Sequence, residues 1–471
     1  MGEKATRWVP VALVCGLLAK LTVLSAKPVD DPDVWWHLRL GHELLHHTWW
    51  NLPDLSPFAT QPWAPSEAVP EVAAFGVDRV AGLAGVAWLS GLGSLAVVIV
   101  GYLVLRRLAD PAPAAVVTLL TVLVLSVALA PRPQLVSLAL LPVVTLVWMR
   151  TEADLRPRWW LVPLSWGWSM CHGYWLVGAA IGGVVVVGIA LSRRTDVRTL
   201  LRLAAVPALS VVVVALNPAG PLVLLAPFNV HRRAPYVIEW RRTDLLWPAA
   251  LVALAMVAAV VVIWAVSRTG VTWGRALLLA TAVFWVWYAI RTVPVGALVA
   301  GPLLAEALQT LVRRGSSSDP SRPSHSPPGR RELSVIAAWT AACLVALAVA
   351  VPHTADQPGP GVPVTLEPAL DRLPSGTRIF DNYEIGGWLA WRYPGLEHYM
   401  DPLTDQYSLA HFDRYLRAIE VQPGWYAVVR DSGARVALLQ VGGPLATALE
   451  KRGWTRVGAD TRYVLLRRPG G

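Results

Sequence analysis

Asp30-Asp31-Pro32-Asp33-Val34-Trp35-Trp36-His37-Leu38-Arg39-Leu40-Gly41 gathers three carboxylates, two tryptophans, a histidine and an arginine in twelve residues. It follows an apolar run from Trp8 to Ala26 and precedes a long series of others. A run of that length is roughly what crosses about 30 Å of hydrocarbon. Lys4 and Arg7 ahead of it read as a cytoplasmic flank. The residues around Ala26 make only a weak small-residue cleavage site, so the run is expected to stay as a first span and not to be removed as a signal peptide. The polar stretch then lies outside the cytoplasm, at a membrane surface.

Working outward, the first outer loop continues with His42, His46 and His47, then Trp49-Trp50-Asn51-Leu52-Pro53-Asp54-Leu55-Ser56-Pro57-Phe58, Trp63 and Glu67. From Trp35 to His47 the apolar and aromatic spacing predicts a short helix along the membrane interface, ended by Asn51, Pro53 and Pro57. His42 and His46 stand at a spacing able to hold zinc, but no third ligand follows in a usual arrangement, so a solvated helix face is the simpler account.

Further apolar runs lie near 83–105, 112–130, 133–149, 159–172, 174–191, 203–216, 245–266, 276–292, 293–312 and 333–351. Arg106-Arg107, Arg150, Arg193-Arg194, Arg268 and Arg313-Arg314 fall at alternate boundaries, as cytoplasmic ends should. The expected fold class is an α-helical polytopic membrane protein of about eleven transmembrane helices with a C-terminal extracytoplasmic α/β domain. The N-terminus is expected in the cytoplasm. The composition agrees: 471 residues, 55% hydrophobic, 15% charged, with a mean hydropathy of +0.48. The net charge of +10 comes largely from arginines clustered at the ends of apolar runs, so no nucleic-acid partner is expected. Three cysteines form no disulfide or zinc pattern, and many of the 24 tryptophans suit an interfacial belt.

The expected organisation is a transmembrane domain at 1–312 with outer loops at 27–82 and 217–244, a Ser/Pro-rich cytoplasmic linker at 313–332, a last span at 333–351 and an outer domain at 352–471. The stretch 159–191 reads as two short crossings or one crossing plus a re-entrant piece, with Pro163, Gly167 and Gly173 favouring a broken backbone. In the last 120 residues, 378–380, 397–400, 436–439, 454–457 and 463–466 read as strands, and 408–419 and 444–452 as helices. A domain of that size is large enough to fold alone.

The pattern Asp-Pro-Asp-x-Trp-Trp-His-Leu-x-x-Gly, followed by Pro-x-x-x-x-Phe and Trp-x-x-x-Glu, resembles bacterial polytopic proteins of the GT-C glycosyltransferase superfamily, which includes protein O-mannosyltransferases and aminoarabinose transferases. The likeness continues at Trp168-x-x-x-His172-Gly173, Asn217-Pro218-x-Gly220, Glu239-Trp240, Arg291-x-x-Pro294, Asp381-Asn382-Tyr383-Glu384-x-Gly386-Gly387 and Asp401-x-x-x-Asp405-x-Tyr407. The chain departs from the pattern at Met170, where Asn is expected, and at Leu403, where Arg is expected.

The resemblance implies a transferase of the plasma membrane. It would take a sugar from a polyprenyl-phosphate-linked donor to a glycan, lipid or protein acceptor at the outer face, aided by a carboxylate in the first outer loop that activates the acceptor hydroxyl or holds a divalent cation, Mg or Mn. A sugar hydroxyl is a weak nucleophile and needs a base within hydrogen-bond reach; a leaving phosphate needs cations. Asp33, at the start of the helix, is the candidate base, with Asp31 as the alternative, and the two together are the candidate metal ligands. Helix capping is the competing role for both. Trp35 and Trp36 are candidates to stack on a sugar or isoprenoid, against interfacial anchoring. His37 is a candidate to assist the base, and Glu67 a candidate second acid. Arg232, Arg233, Arg241 and Arg242 break the positive-inside trend and are candidate phosphate or head-group contacts. His172, an ionisable group within an apolar stretch, and Arg291 at the outer end of its span complete the candidates. Asp381, Glu384, Asp401 and Asp405 are expected to serve turns and caps, and Gly386-Gly387 to form a tight bend. Two other functions are open: a non-catalytic membrane scaffold or partner subunit in envelope assembly, favoured by Met170 and Leu403, and a transporter of a lipid-linked substrate, whose paired intramembrane charges or internal repeat are not evident.

Overall fold

The computed structural model describes residues 8–193, 195–268, 270–315 and 326–470. Lys4, Arg7, Arg194 and residues 316–325 of the Ser/Pro-rich linker lie outside the described residues. The chain divides into two compact units, each assembled from three stretches of sequence.

The first unit takes Met1–Ala26, Trp88–Asn217 and Val237–Ala350. Every expected apolar run coincides with a helix. Across the chain, six helices among the described residues are long and apolar enough to cross a membrane: Ala68–Leu105, Gln134–Asp154, Val197–Leu216, Pro248–Ser267, Ile290–Arg314 and Arg330–Thr354. Val9–Ser25, Pro111–Leu125 and Trp175–Leu191 are shorter apolar helices. This is a multi-pass membrane protein. The expected eleven crossings meet a difficulty at Leu161–Ser169, which has nine residues. At 1.5 Å per residue it spans roughly 14 Å, under half the hydrocarbon thickness. Residues 170–174 break the backbone before the helix Trp175–Leu191 begins. That helix lies close to its neighbours because Gly178 and Gly182, one turn apart, receive the rings of Trp168 and Trp148.

Buried charges in this unit are paired. Arg106 forks onto Glu332, which also accepts from the Tyr102 hydroxyl at 2.8 Å. Arg275 bonds Glu306 and Glu152, and Glu152 accepts the Gly274 amide. Charges withdrawn from water persist only with such partners.

The second unit takes Lys27–Ala87, Pro218–Tyr236 and Val351–Gly471. Its centre is a five-stranded mixed sheet of β1 (Arg378–Asp381), β2 (Glu397–His398), β3 (Val436–Gln440), β4 (Thr455–Ala459) and β5 (Tyr463–Arg467), in the order β2-β1-β3-β5-β4. β1 pairs in parallel with β2 and β3; β5 pairs antiparallel with β3 and β4. Phe380, Tyr399, Tyr407, Phe412, Leu439 and Leu466 lie in its hydrophobic core. The helices Leu409–Ile419 and Pro444–Lys451 fall where expected, and Tyr383–Arg392 and Trp425–Asp431 are added.

Residues 398–407 tie the three stretches together. The Asp401 carboxylate accepts from His398 Nε2 at 2.6 Å, the Leu403 amide at 2.8 Å, Gln406 Nε2 at 2.8 Å and the Tyr407 hydroxyl at 2.7 Å. From the first stretch, Ser56 donates to the His398 carbonyl at 2.7 Å, and the Thr60 and Gln61 amides donate to the Gln406 carbonyl. From the second, Arg233 donates to the carbonyls of Asp405 at 2.8 Å and Tyr407 at 3.0 Å. Gly386 and Gly387 are not a bend: they lie inside the helix Tyr383–Arg392. A Cβ on Gly386 would strike the Met400 carbonyl, and one on Gly387 would sit 3.2 Å from the Pro32 carbonyl and 3.3 Å from the Trp36 amide. Their lack of side chains lets this helix lie against both the 398–407 segment and the start of the helix Asp33–His46.

Candidate active site

The stretch that opened the sequence reading forms the helix Asp33–His46. Asp31 sets its start: its carboxylate accepts the Asp33 amide at 3.0 Å, and its carbonyl accepts from Val34 at 3.2 Å. This is the local role that competes with catalysis at Asp31. Asp33 occupies the first turn, where the helix dipole favours its charge. Asp33, His37 and Gly41 recur every four residues and so share one helix face. That face meets the helix Ala68–Leu105, because a Cβ on Gly41 would strike the Glu71 carbonyl. The same partner helix breaks at Gly82, whose φ of 59° only glycine adopts without strain, so its first turns are oriented separately from the apolar remainder.

At this contact His37 Nδ1 lies 2.9 Å from Glu71 Oε1, and His37 Nε2 lies 3.7 Å from Glu67 Oε2. His37 is 5% exposed and Glu71 1%. The ring of Trp36 covers the imidazole at 3.6 Å. The ligand-capable atoms of His37, Glu67 and Glu71 all lie within 4.8 Å of one another, the grouping among the described residues that suits a metal ion. Asp31 and Asp33, the metal ligands expected from the sequence, are not members of it. His42 and His46 stack on one another at 4.2 Å and are not members either. Trp35 is spent on packing, 2% exposed and 5.1 Å from the ring of Trp391, whereas Trp36 is half-buried.

In the membrane unit, Glu239 receives two guanidiniums, Arg132 at 3.0 Å and Arg291 at 2.9 Å. Burial pushes the Glu239 carboxyl up, but Arg291 and Arg132 outweigh it and hold the group below its usual range. Arg291 is therefore an ion-pair partner and more than a snorkelling side chain. The cluster keeps one net positive charge. His172, 4% exposed, is held through Ser137. The Trp168 indole donates to Ser137 Oγ at 2.7 Å, and Ser137 Oγ is 3.0 Å from His172 Nδ1. An indole N–H only donates, so Ser137 accepts from it and turns its own proton to Nδ1. The Tyr174 amide also points to Nδ1 at 3.3 Å, and the Tyr174 hydroxyl donates to the Arg291 carbonyl at 3.2 Å.

The remaining cations divide. Arg233 is structural, 3.5 Å from Asp405 and bonded to two carbonyls of the sheet unit. Arg242 lies over the Trp287 ring at 4.2 Å. Arg232 and Arg241 are exposed. The acids of the sheet unit are likewise engaged: Asp401 as above, Asp405 with Arg233, and Asp381 with the amides of Tyr399 and Met400. Asp31, Asp33, Trp35, Trp36, His37, Glu67 and Arg232 belong to the second unit; His172, Arg241 and Arg291 belong to the first. Sequence reasoning missed Glu71, Ser137 and Arg132. Arg132 had a signal, a cation between Pro131 and Pro133 at the uncharged end of an apolar run.

No family model and no curated protein is similar to the chain in sequence. Solved structures are similar in fold. The ArnT of Cupriavidus metallidurans, bound to undecaprenyl phosphate, matches with a TM-score of 0.51 at 14% identity, over 97% of this chain and 97% of that one. The chain shares its overall fold with this protein. The Archaeoglobus fulgidus oligosaccharyltransferase, tethered to an acceptor peptide with an NVT sequon, matches with a TM-score of 0.50 at 12% identity, over 92% of this chain and 69% of that one.

Proposed function

We propose that the chain is a membrane glycosyltransferase, moving a sugar from a polyprenyl-phosphate carrier to a glycan, lipid or protein acceptor of the cell envelope. The observation that carries this reading is the end-to-end fold likeness to a protein that binds undecaprenyl phosphate. The sheet-bearing unit faces outward and the N-terminus inward, in line with the arginines at alternate helix ends. Asp33 accepts the proton of the acceptor hydroxyl as its oxygen bonds the anomeric carbon; the bond to the carrier phosphate breaks and its electrons leave with the phosphate. In the membrane unit, the net positive cluster of Arg132, Glu239 and Arg291 is the contact for an anionic head group.

The test is envelope glycan and glycolipid analysis of a deletion strain carrying the wild-type protein or Asp33→Asn at matched expression. A missing sugar restored by the wild type and not by Asp33→Asn supports the transferase and identifies its product. Equal restoration by both proteins removes Asp33 as the base, and no glycan difference between the deletion strain and its parent overturns the reading.

A further inference from the structure

We infer that a cavity at the ends of four helices of the membrane unit binds a primary ammonium, carried by an aminophospholipid head group or by a free small amine. The site does not depend on the transferase reading. The cavity has a volume of about 330 Å3 and is open on one side. Glu152 stands in the last turn of Gln134–Asp154 and Trp264 in the last turn of Pro248–Ser267. Thr272 caps the helix Trp273–Tyr288, Arg275 lies in its first turn, and Glu306 and Thr310 come from Val293–Gly315. The ends of membrane-spanning helices lie at the level of lipid head groups.

The charges of the walls do not balance. Two carboxylates, Glu152 and Glu306, meet one guanidinium, Arg275, which leaves one net negative charge. Arg275 has little to offer an anion: Nε and Nη2 bond the two oxygens of Glu306 at 3.2 and 3.1 Å, and Nη1 bonds Glu152 and the Met149 carbonyl. Four of its five N–H groups are thus engaged. Glu152 is engaged as well. One oxygen takes Arg275, the other takes the Gly274 amide at 3.0 Å, and its side chain is 5% exposed. Glu306 differs, with a side chain 39% exposed. A carboxylate has about four lone-pair sites, and Arg275 occupies two of those on Glu306. The excess charge therefore sits on the carboxylate that the cavity reaches.

The other polar groups of the walls choose the kind of cation. The Thr310 hydroxyl donates its proton to the Glu306 carbonyl at 3.0 Å, so towards a ligand its oxygen can only accept. Thr272 supplies a second hydroxyl oxygen, and half-buried Trp264 an aromatic surface that favours a cation. A carboxylate and two hydroxyl oxygens suit the three N–H groups of a primary ammonium. A quaternary ammonium has no N–H to give them, and one tryptophan is not the aromatic cage that it needs.

The experiment uses the full-length protein in detergent, stripped of co-purifying lipid, with binding read by native mass spectrometry. The probes are phosphatidylethanolamine, phosphatidylcholine with the same acyl chains, and putrescine as a free amine. A lipid head group as the source gives binding of one phosphatidylethanolamine per chain about 10–100-fold tighter than of phosphatidylcholine, as charge-assisted hydrogen bonds would. A free amine as the source gives binding of one putrescine with no difference between the lipids. Glu306→Gln removes whichever preference the wild type shows. Because that change also loosens Arg275, Ala153→Trp is the second variant. Ala153 lines the cavity and is exposed, so the indole fills the space with all three charges in place and the melting temperature stays at the wild-type value. Equal affinity for the two lipids without putrescine binding overturns the inference, and so does a preference that survives in either variant.

Discussion

Asp381→Asn tests the electrostatics of the sheet unit. Asp381 ends β1 at 0% exposure. Its Oδ1 accepts the amides of Tyr399 at 2.6 Å and Met400 at 3.2 Å, and its Oδ2 has no partner. Burial pushes its carboxyl from the usual 3.8 up to about 7, against the opposing pull of His398 and the two amides. For an acid raised in the folded state, the stabilising contribution is complete below the unfolded value and is lost as pH rises towards the folded one. The loss therefore falls between about pH 4 and pH 7. At about 1.4 kcal/mol per pH unit, the gap comes to on the order of 4 kcal/mol. Asparagine mimics the neutral acid and keeps an oxygen for the two amides. The full-length protein, melted in detergent from pH 4.5 to 8 and followed by tryptophan fluorescence, loses stability with rising pH as wild type. The variant shows a flatter profile and melts above wild type at pH 8. His398 also contributes: burial lowers its pKa, but the Asp401 hydrogen bond and charge outweigh this and raise it. Its share is present below about pH 6.5 and fades as pH rises through its folded value. Identical slopes for variant and wild type would refute the assignment of the loss to Asp381.

Three further positions are tested by substitution. Arg233→Met leaves the buried Asp405 carboxylate without its cation and costs about 3 kcal/mol at pH 8. The penalty shrinks near pH 5, because burial already pushes Asp405 up to about 6 and the lost guanidinium raises it further. A loss of melting temperature equal at both pH values would contradict that pairing. Gly386→Ala drives a methyl into the Met400 carbonyl and destabilises by about 1–3 kcal/mol in the same melt, while an unchanged melt would show that the helix has room. Ser137→Ala orphans the Trp168 indole and costs about 1–3 kcal/mol; Ser137→Thr, which keeps the hydroxyl, recovers most of it.

Much of the fold was legible because it is written in local pattern. Apolar runs marked the helices, and the strands at 378–381, 436–440 and 463–467 stood out as β-branched and aromatic runs between turn residues. The site was legible in part. His37 and Glu67 were named, and the structure puts their side chains near one another. Glu71 was not, because a glutamate at the mouth of an apolar helix looks like an ordinary first-turn acid, and its partner lies 34 residues away. The Arg132–Glu239–Arg291 cluster joins residues separated by 107 and 52 positions, and nothing in spacing announces such a meeting. Gly386-Gly387 read as a turn because glycine pairs usually are turns. Their use inside a helix depends on what packs against them.

The dependence of the second unit on residues 398–407 has a consequence for biogenesis. Ser56, Thr60 and Gln61 leave the ribosome long before His398 and Gln406, the groups they bond. The first loop must wait, its polar backbone hydrated or guarded by a chaperone, while the intervening membrane segments are inserted. A stop codon anywhere before residue 407 would strand that loop, and the quality-control proteases of the membrane would meet it as an unfinished chain.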